Sequence, residues 1–287
     1  MIMNSNIHDV AVITAEEVMA LNFINLSPAC HLRRYFRQGL RSHIFEVLDV
    51  CDVSKETQGE LSKGVRWFPR AVPQKMLRIL RTRFSQLSQA LDEVNKYTMI
   101  LKFLGPEFIA VSQEFIVEYH GANGSEIILC GLQEYVQGKA LDPWDLSGDN
   151  PIDIFFQRHF PGQNSGGKSV KKAIESISFF VKKVKRMAMD EGYIPDLAGN
   201  GNLIITARGE LKLVDINNII KVHYNEKIFL DDKKYPSCDK SVEVLAILEQ
   251  KVMKNKFFLD GQLYRHFFST ERRQRVKELE EKFYQNW

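Results

Sequence analysis

The sequence predicts an α+β fold in two parts, an antiparallel sheet with one long helix followed by a small, mostly helical region. Short apolar runs rich in β-branched residues cluster before Val136 and indicate strands. Residues 74–104 carry apolar side chains at three- and four-residue steps, which predicts the long helix. Helical periodicity dominates after Leu141. The predicted strands of the first part are 42–53, 108–119 and 126–132.

The change of pattern near Val136 also predicts two domains. The N-terminal lobe is 1–136, with a possible helical extension at 1–41, and the C-terminal lobe is 137–287. Within that extension, Thr14 and Glu17 have the spacing of a capping box and predict the start of a short helix.

Composition excludes several classes of protein. The 287 residues are 44% hydrophobic and 26% charged, as in globular proteins, and a net charge of +3 does not indicate a nucleic-acid partner. No apolar run is long enough to span a membrane, and the N-terminus lacks the pattern of a signal peptide. The four cysteines are widely spaced and form no C-x-x-C pair, so a cytoplasmic protein is expected.

The most informative stretch is residues 193–218. Two short apolar runs, Leu203–Thr206 and Leu211–Val214, are joined by a polar turn that contains glycine, which predicts a hairpin. Oxygen-bearing side chains precede the first strand and follow the second, and Mg²⁺ prefers such ligands. These side chains are Asp196, Asn202 and Asp215.

This stretch resembles the catalytic and metal-binding loops of the protein-kinase-like superfamily, H-R-D-x-x-x-x-N followed by D-F-G. Here Ile194-Pro195-Asp196 stands for the first motif and Asp215-Ile216-Asn217 for the second. The loop is one residue longer than the pattern, and its His and Arg are missing. The resemblance implies a two-lobed kinase-like fold in which Asp196 is catalytic and Asn202 and Asp215 hold Mg²⁺.

The resemblance also implies cations that contact the phosphates of ATP. Gly64–Pro69 is similar to the third strand of the kinase sheet, with Arg66 at the position of the ATP-binding lysine. Lys63 is the alternative if the register differs. Glu93, within the predicted long helix, would pair with that cation. An exposed edge strand explains Arg66 equally well, and a solvated helix face explains Glu93.

The kinase pattern also includes a hinge between the two lobes and a glycine-rich loop over the phosphates. The hinge would use backbone groups of three consecutive residues to bind the adenine ring. These residues are Glu134, Tyr135 and Val136. The glycine-rich loop is absent or heavily altered, because Gly39 is the only glycine in the expected region.

The resemblance favours an ATP- and Mg²⁺-dependent phosphotransferase that acts on an unknown hydroxyl acceptor, either a small molecule, a glycan or a protein. Compact bacterial kinase-like proteins, including lipopolysaccharide kinases and small-molecule phosphotransferases, are the nearest comparison. The altered motifs favour the alternative, a pseudokinase that serves as a nucleotide-binding or scaffold protein without turnover, whereas the retention of Asp196, Asn202 and Asp215 together favours the enzyme.

Residues 162–169 suggest a third function. Gly162, Gly167, Lys168 and Ser169 match the P-loop pattern of nucleotide hydrolases, and residues 154–160 could be the strand before it. The simpler interpretation is a loop in which Ser169 caps the next helix. That helix, 169–190, has a basic face that could attract an acidic partner.

Overall fold

The protein is described by a computed structural model that covers residues 7–36, 41–121, 124–162, 167–255 and 261–285. The chain forms two compact units. The first consists of Met1–Asn95 and Val111–Tyr135, and the second of Lys96–Ala110 and Val136–Trp287. The predicted α+β class is confirmed.

The first unit is built on a five-stranded antiparallel sheet. Its order is β1-β2-β5-β7-β6, and β3 and β4 form a separate two-stranded hairpin. The strands are β1 (Cys30–Arg34), β2 (Ser42–Asp49), β3 (Glu60–Ser62), β4 (Val65–Trp67), β5 (Lys75–Leu80), β6 (Ser112–Gly121) and β7 (Gly124–Glu134).

The N-terminal segment covers one face of this sheet. Ile7, Ile13 and Val18 are buried in one apolar cluster with Phe45 of β2 and Leu77 of β5. Helix α1 (Ala15–Met19) begins at Thr14, whose side chain forms the predicted capping box with Glu17. Among residues 7–36, the predicted helical extension contains the short helix α1, whose Val18 is buried in the core, and the strand β1.

The prediction of one helix over 74–104 is wrong in its first part. Residues Lys75–Leu80 form β5, the central strand of the sheet, and helix α3 spans Leu87–Leu104. Almost every side chain of β5 is buried, since the strand pairs with neighbours on both sides. A strand buried on both faces has a continuous apolar run, which periodicity does not distinguish from a buried helix. Helix α2 (Val50–Gln58) likewise replaces the end of the strand predicted at 42–53.

The second unit is mostly helical, as predicted. Residues 154–160, considered as a strand, instead lie mainly in helix α4, and Gly167 rather than Ser169 is the N-cap of the following helix. A π-helical turn, Leu248–Val252, extends α6. The helices are α4 (Pro151–His159), α5 (Lys168–Asp190), α6 (Ser237–Ile247), α7 (Gln262–Phe267) and α8 (Thr270–Gln285).

Short strands of the second unit flank the loops that contain Asp196, Asn202 and Asp215. The predicted hairpin is confirmed as β10 and β11, which pair antiparallel, and β8 joins β10 on its other side. A second pair, β9 and β12, lies next to it in sequence. The strands are β8 (Lys139–Ala140), β9 (Tyr193–Pro195), β10 (Leu203–Ile205), β11 (Leu211–Leu213) and β12 (Ile219–Lys221).

Candidate functional site

The two strand pairs of the second unit bring Asp196, Asn202 and Asp215 to one group of loops. Asp196 follows β9, Asn202 precedes β10 and Asp215 follows β11. The Asn202 side chain donates from Nδ2 to the Asp196 carbonyl at 2.9 Å. Val214, immediately before Asp215, donates its N–H to the Asn202 carbonyl at 2.8 Å. Asn202 is therefore hydrogen-bonded both to Asp196 and to the residue that precedes Asp215.

The Asp196 carboxylate is fixed by two donors. Oδ1 accepts from the Ala198 N–H at 3.0 Å, and Oδ2 accepts from Asn218 Nδ2 at 2.6 Å. The Asp196 N–H also donates to the Asn218 carbonyl at 2.8 Å, so the loop is tied to the start of β12. With only 8% of Asp196 exposed, these bonds hold the carboxylate in a single orientation.

Sequence reasoning missed Asn218 as the second residue of this pair. Its sequence signal is weak, since an Asn after Asp215-Ile216-Asn217 reads as an ordinary turn residue. The pairing of β9 with β12 places Asn218 beside Asp196, although 22 positions separate them.

A close backbone approach sets the position of the Asn202 amide. A Cβ atom built on Gly199 would lie 2.5 Å from Asn202 Nδ2 and 2.8 Å from its Oδ1. A side chain at position 199 would therefore displace the amide. Because Nδ2 is used by Asp196, the oxygen Oδ1 is the atom of this side chain suited to a cation.

The donor set suits Mg²⁺ bound together with phosphates. Asp215 supplies a carboxylate, whose Oδ1 also accepts from the Asn217 N–H at 3.4 Å, and Asn202 supplies an amide oxygen. Within the described residues, no group of three or more His, Cys, Asp or Glu side chains is placed to hold a metal ion. Mg²⁺ commonly takes one or two protein oxygens and completes its octahedron with phosphates and water, so the residues fit that mode.

Helix α6 is hydrogen-bonded to the loop that contains Asp196. The Leu197 N–H donates to the hydroxyl of Ser241, a fully buried residue of α6, at 3.0 Å. Two residues earlier, Asp239 forms a bidentate buried pair with Arg272 of α8, at 2.6 and 3.1 Å. Burial raises the pKa of Asp239, while the Arg272 guanidinium acts in the opposite direction. The loop thus rests on a helix that is itself fixed by an internal ion pair.

The structure does not place Arg66 and Lys63 in the main sheet. Both belong to the β3–β4 hairpin, whereas the third strand of the sheet is β5. The Arg66 guanidinium donates to the Gln58 carbonyl at 2.8 Å, at the base of that hairpin, and Lys63 lies in its turn. The expected similarity of 64–69 to a third sheet strand is therefore wrong, because β4 pairs with β3 only.

The buried cation of the central strand is Arg78, which sequence reasoning missed. Its Nη2 donates to Glu114 Oε1 of β6 at 2.7 Å and to the Ser112 hydroxyl at 3.2 Å. Both charged side chains are nearly fully buried. An arginine inside the apolar run of β5 was a usable signal, but the helical interpretation of 74–104 concealed it.

The remaining predicted binding residues lie near the boundaries of the units. Glu93 is on α3, in the part that belongs to the first unit. Glu134 ends β7 and donates its N–H to the Val111 carbonyl at 2.8 Å. Tyr135 is the last residue of the first unit and Val136, which is buried, begins a segment of the second.

The P-loop pattern is only partly within the described residues, since 163–166 lie outside them. The segment before it is helix α4 and not the strand that a P-loop follows. Lys168 is the first residue of α5.

No protein-family model matches this chain, and no curated protein matches it. Over the described part of the chain, no helix has both the length and the apolar character needed to cross a bilayer.

Proposed function

We propose that the chain is an ATP- and Mg²⁺-dependent phosphotransferase of kinase-like fold that acts on a hydroxyl acceptor. The observation that carries the proposal is the hydrogen-bonded set of Asp196, Asn202 and Val214, which leads directly to Asp215. Two carboxylates and an amide held by backbone bonds at one group of loops match what phosphoryl transfer requires, positioning and charge stabilisation.

Asp196 would orient the acceptor hydroxyl and accept its proton. Each of its oxygens already accepts one hydrogen bond. A carboxylate oxygen can accept more than one hydrogen bond, so these two donors do not exclude a bond from the hydroxyl of the acceptor. Asn218 and Ala198 would keep the carboxylate directed at that hydroxyl during the transfer.

Asp215 and the Oδ1 atom of Asn202 would hold Mg²⁺. When bound, ATP supplies the phosphoryl group and Mg²⁺ neutralises charge on its phosphates. The hydrogen bond from the Asn202 side chain to the Asp196 backbone carbonyl joins the metal side of the site to the acceptor side, and it would remain in Asp196→Ala because its acceptor is a main-chain atom.

A second candidate function, nucleotide binding without turnover, is favoured by the cations of the first unit. Arg78 is buried in an ion pair with Glu114, and Arg66 is bonded to the Gln58 carbonyl at the end of α2. A kinase uses a cation of the third strand to contact phosphates. The Arg78 guanidinium is almost fully buried between Glu114 and Ser112, so it is less accessible to phosphates, which would suit a pseudokinase.

Calorimetric titration of ATP, with and without Mg²⁺, together with a phosphotransfer assay tests both functions. Asp215→Ala is expected to weaken Mg²⁺-dependent ATP binding by about tenfold or more, because a metal ligand is lost. Asp196→Ala should bind ATP within a few-fold of the parent and lose transfer by about a thousandfold, as expected for a lost general base. Lys168→Ala is the matched control and should bind as the parent does.

The contrary results are distinct. Normal ATP binding by Asp215→Ala with lost binding by Lys168→Ala would replace the proposal with a P-loop site. Mg²⁺-dependent binding without transfer to small-molecule, glycan and protein acceptors would favour the pseudokinase.

A further inference from the structure

The β3–β4 hairpin is a regular element that presents side chains on both of its faces. Lys63 and Gly64 occupy its two-residue turn with φ of 50° and 77°, as in a type I′ turn. All six residues of the two strands are exposed. The hairpin therefore has a defined shape without contributing a side chain to the core.

The exposed side chains of this hairpin are mostly large and apolar. Leu61 is 66% exposed and Val65 52%, while Trp67 and Phe68 are 62% and 60% exposed. Single exposed apolar residues are ordinary, but the register places Val65 and Trp67 on one face of the hairpin and Leu61 on the other, so both faces carry large exposed apolar side chains. We call residues 60–68 the apolar hairpin. Such a surface indicates contact with an apolar phase or a partner.

The base of the apolar hairpin is anchored, so its orientation is set before any contact. Gly59, with φ of 76°, ends α2, and Arg66 donates to the Gln58 carbonyl at 2.8 Å. Beyond the hairpin, Ala71 is buried and its N–H donates to Glu56 Oε2 at 3.2 Å. An anchored element loses little conformational entropy on binding.

The charge around these apolar side chains is positive. Lys63 lies in the turn, Arg66 on the second strand and Arg70 just beyond it, all exposed. Glu60, at the start of the first strand and opposite Trp67, is the one carboxylate among residues 60–70. Apolar and cationic side chains on one protruding element complement a surface that has an apolar interior and an anionic exterior.

We propose that the apolar hairpin inserts into the surface of an anionic lipid membrane. Trp residues favour the level of the lipid headgroups, and Lys and Arg are attracted by anionic lipids. Three residues per strand at about 3.3 Å each give the hairpin a length of ~10 Å. Interfacial elements insert to a depth of about 5–10 Å, so the hairpin is long enough.

The aliphatic side chains favour lipid over nucleic acid as the anionic partner. Nucleic-acid platforms combine cations with aromatic rings on which bases stack. Leu61 and Val65 have no π-face, yet they lie on either side of the turn where a base would approach. This proposal is independent of the phosphotransferase activity, whose residues Asp196, Asn202 and Asp215 lie outside the hairpin.

Trp67 provides the direct test of insertion. The chain has three tryptophans, so a Trp144→Phe/Trp287→Phe variant leaves Trp67 as the sole indole. Its emission should shift to shorter wavelength when phosphatidylcholine vesicles containing phosphatidylglycerol are added. Phosphatidylcholine alone should give a smaller shift, and added salt should reduce the response because surface attraction is screened.

Co-sedimentation with the same vesicles measures the contribution of the side chains. The full chain carrying Leu61→Ser, Trp67→Ser and Phe68→Ser should lose vesicle affinity by about tenfold or more. The matched control carries Phe179→Ser, Met189→Ser and Leu230→Ser, three exposed apolar residues elsewhere in the chain, and should bind as the parent does. Thermal unfolding of both variants verifies that they fold. The cations stay in place, so their contact with any phosphate is unchanged.

Several results would overturn the proposal. One is an unchanged Trp67 emission with vesicles, and another is equal loss of vesicle affinity in the control variant. Binding of single-stranded RNA, or a concentration-dependent dimer, that is lost in the hairpin variant while vesicle binding is absent would assign the surface to those partners instead. ATP binding by the hairpin variant is measured alongside, since its loss would concern the nucleotide site and not the membrane.

Discussion

At the scale of single residues, the position of the Asn202 amide depends on two neighbours, Asp196 and Gly199. Its Nδ2 must reach the Asp196 carbonyl, and its side chain must lie against the backbone of residue 199. Only glycine at 199 leaves that space, since a Cβ would approach Nδ2 to 2.5 Å. The lack of a side chain at Gly199 therefore leaves the space in which the Asn202 amide lies.

Gly199→Ala should lower the free energy of unfolding by about 1–3 kcal/mol, as overpacked sites do. The reason is the displaced Asn202 amide and the loss of its hydrogen bond with Asp196. Urea denaturation measures the change. If the proposed metal site is correct, the same variant also loses Mg²⁺-dependent ATP affinity.

A double-mutant cycle provides the control for this prediction. In an Asn202→Ala background the clash is absent, so Gly199→Ala should change the free energy of unfolding by less than about 1 kcal/mol. An equal loss in both backgrounds would mean that the amide is not the side chain displaced.

At the scale of elements, the five-stranded sheet carries an ion pair where apolar packing would be expected. Arg78 of β5 and Glu114 of β6 meet across Gly131 of β7. A Cβ on Gly131 would lie 2.6 Å from each of the two charged groups, so the intervening strand must have glycine there. Three strands thus depend on one another at this point.

Arg78→Met should lower the free energy of unfolding by about 3–5 kcal/mol, because it leaves the Glu114 carboxylate buried without its guanidinium. Removing both charges with Arg78→Met/Glu114→Leu should restore most of that stability, since a buried pair is often replaceable by apolar side chains. Chemical denaturation of the two variants measures the difference.

The exposed pair Arg186 and Asp190 on α5 is the matched control. Arg186→Met should change the free energy of unfolding by less than about 1 kcal/mol, as for surface ion pairs. A double variant at Arg78 and Glu114 that is no more stable than Arg78→Met would contradict the role given to the buried charge.

At the scale of the whole molecule, the buried residues His8 and His43 connect the N-terminal segment to the five-stranded sheet. His43 of β2 donates to the Ile7 carbonyl at 3.0 Å, and burial lowers its pKa below the ordinary 6.5, although that bond acts in the opposite direction. Burial also lowers the pKa of His8, opposed by Glu126 at 3.1 Å. The folded chain therefore binds a proton on each ring less readily than the unfolded chain does.

Stability should fall as the pH decreases below 6.5. In that range the unfolded chain binds a proton on each histidine before the folded chain does, so protons favour unfolding. The stability contributed by the neutral rings is present above pH 6.5 and is lost as the pH falls toward the lowered pKa values. Urea midpoints measured from about pH 8 to about pH 5 should decrease across this window.

His43→Gln should reduce this pH dependence, because glutamine can donate to the Ile7 carbonyl and does not titrate. His31→Gln is the control, since His31 is exposed, and its variant should keep the slope of the parent. An unchanged slope in His43→Gln would show that other groups determine the loss of stability.

Elements defined by local pattern were predictable from the sequence. The β10–β11 hairpin follows from two apolar runs and a glycine turn, and the capping box of α1 from residues three positions apart. In each case the deciding contacts are within a few residues, so the sequence contains them.

The candidate site was only partly predictable, because some of its hydrogen bonds join residues that are far apart in the sequence. Asp196, Asn202 and Asp215 belong to one continuous stretch and were found together. Asn218 and Ser241, which bond to the Asp196 loop, come from β12 and α6 and have ordinary local sequences. Their positions depend on how strands and helices pair across the unit.

The sequence by itself determined the α+β class, the hairpin and the acidic loop, because hydrophobic period and turn residues act locally. The tertiary structure decided that 75–80 is a central strand, that Arg78 meets Glu114, and that Arg66 belongs to an exposed hairpin. The first two features depend on pairing between strands far apart in the chain, and the third depends on the separation of the β3–β4 hairpin from the five-stranded sheet. An apolar run fits a strand or a helix alone, and only its neighbours select one.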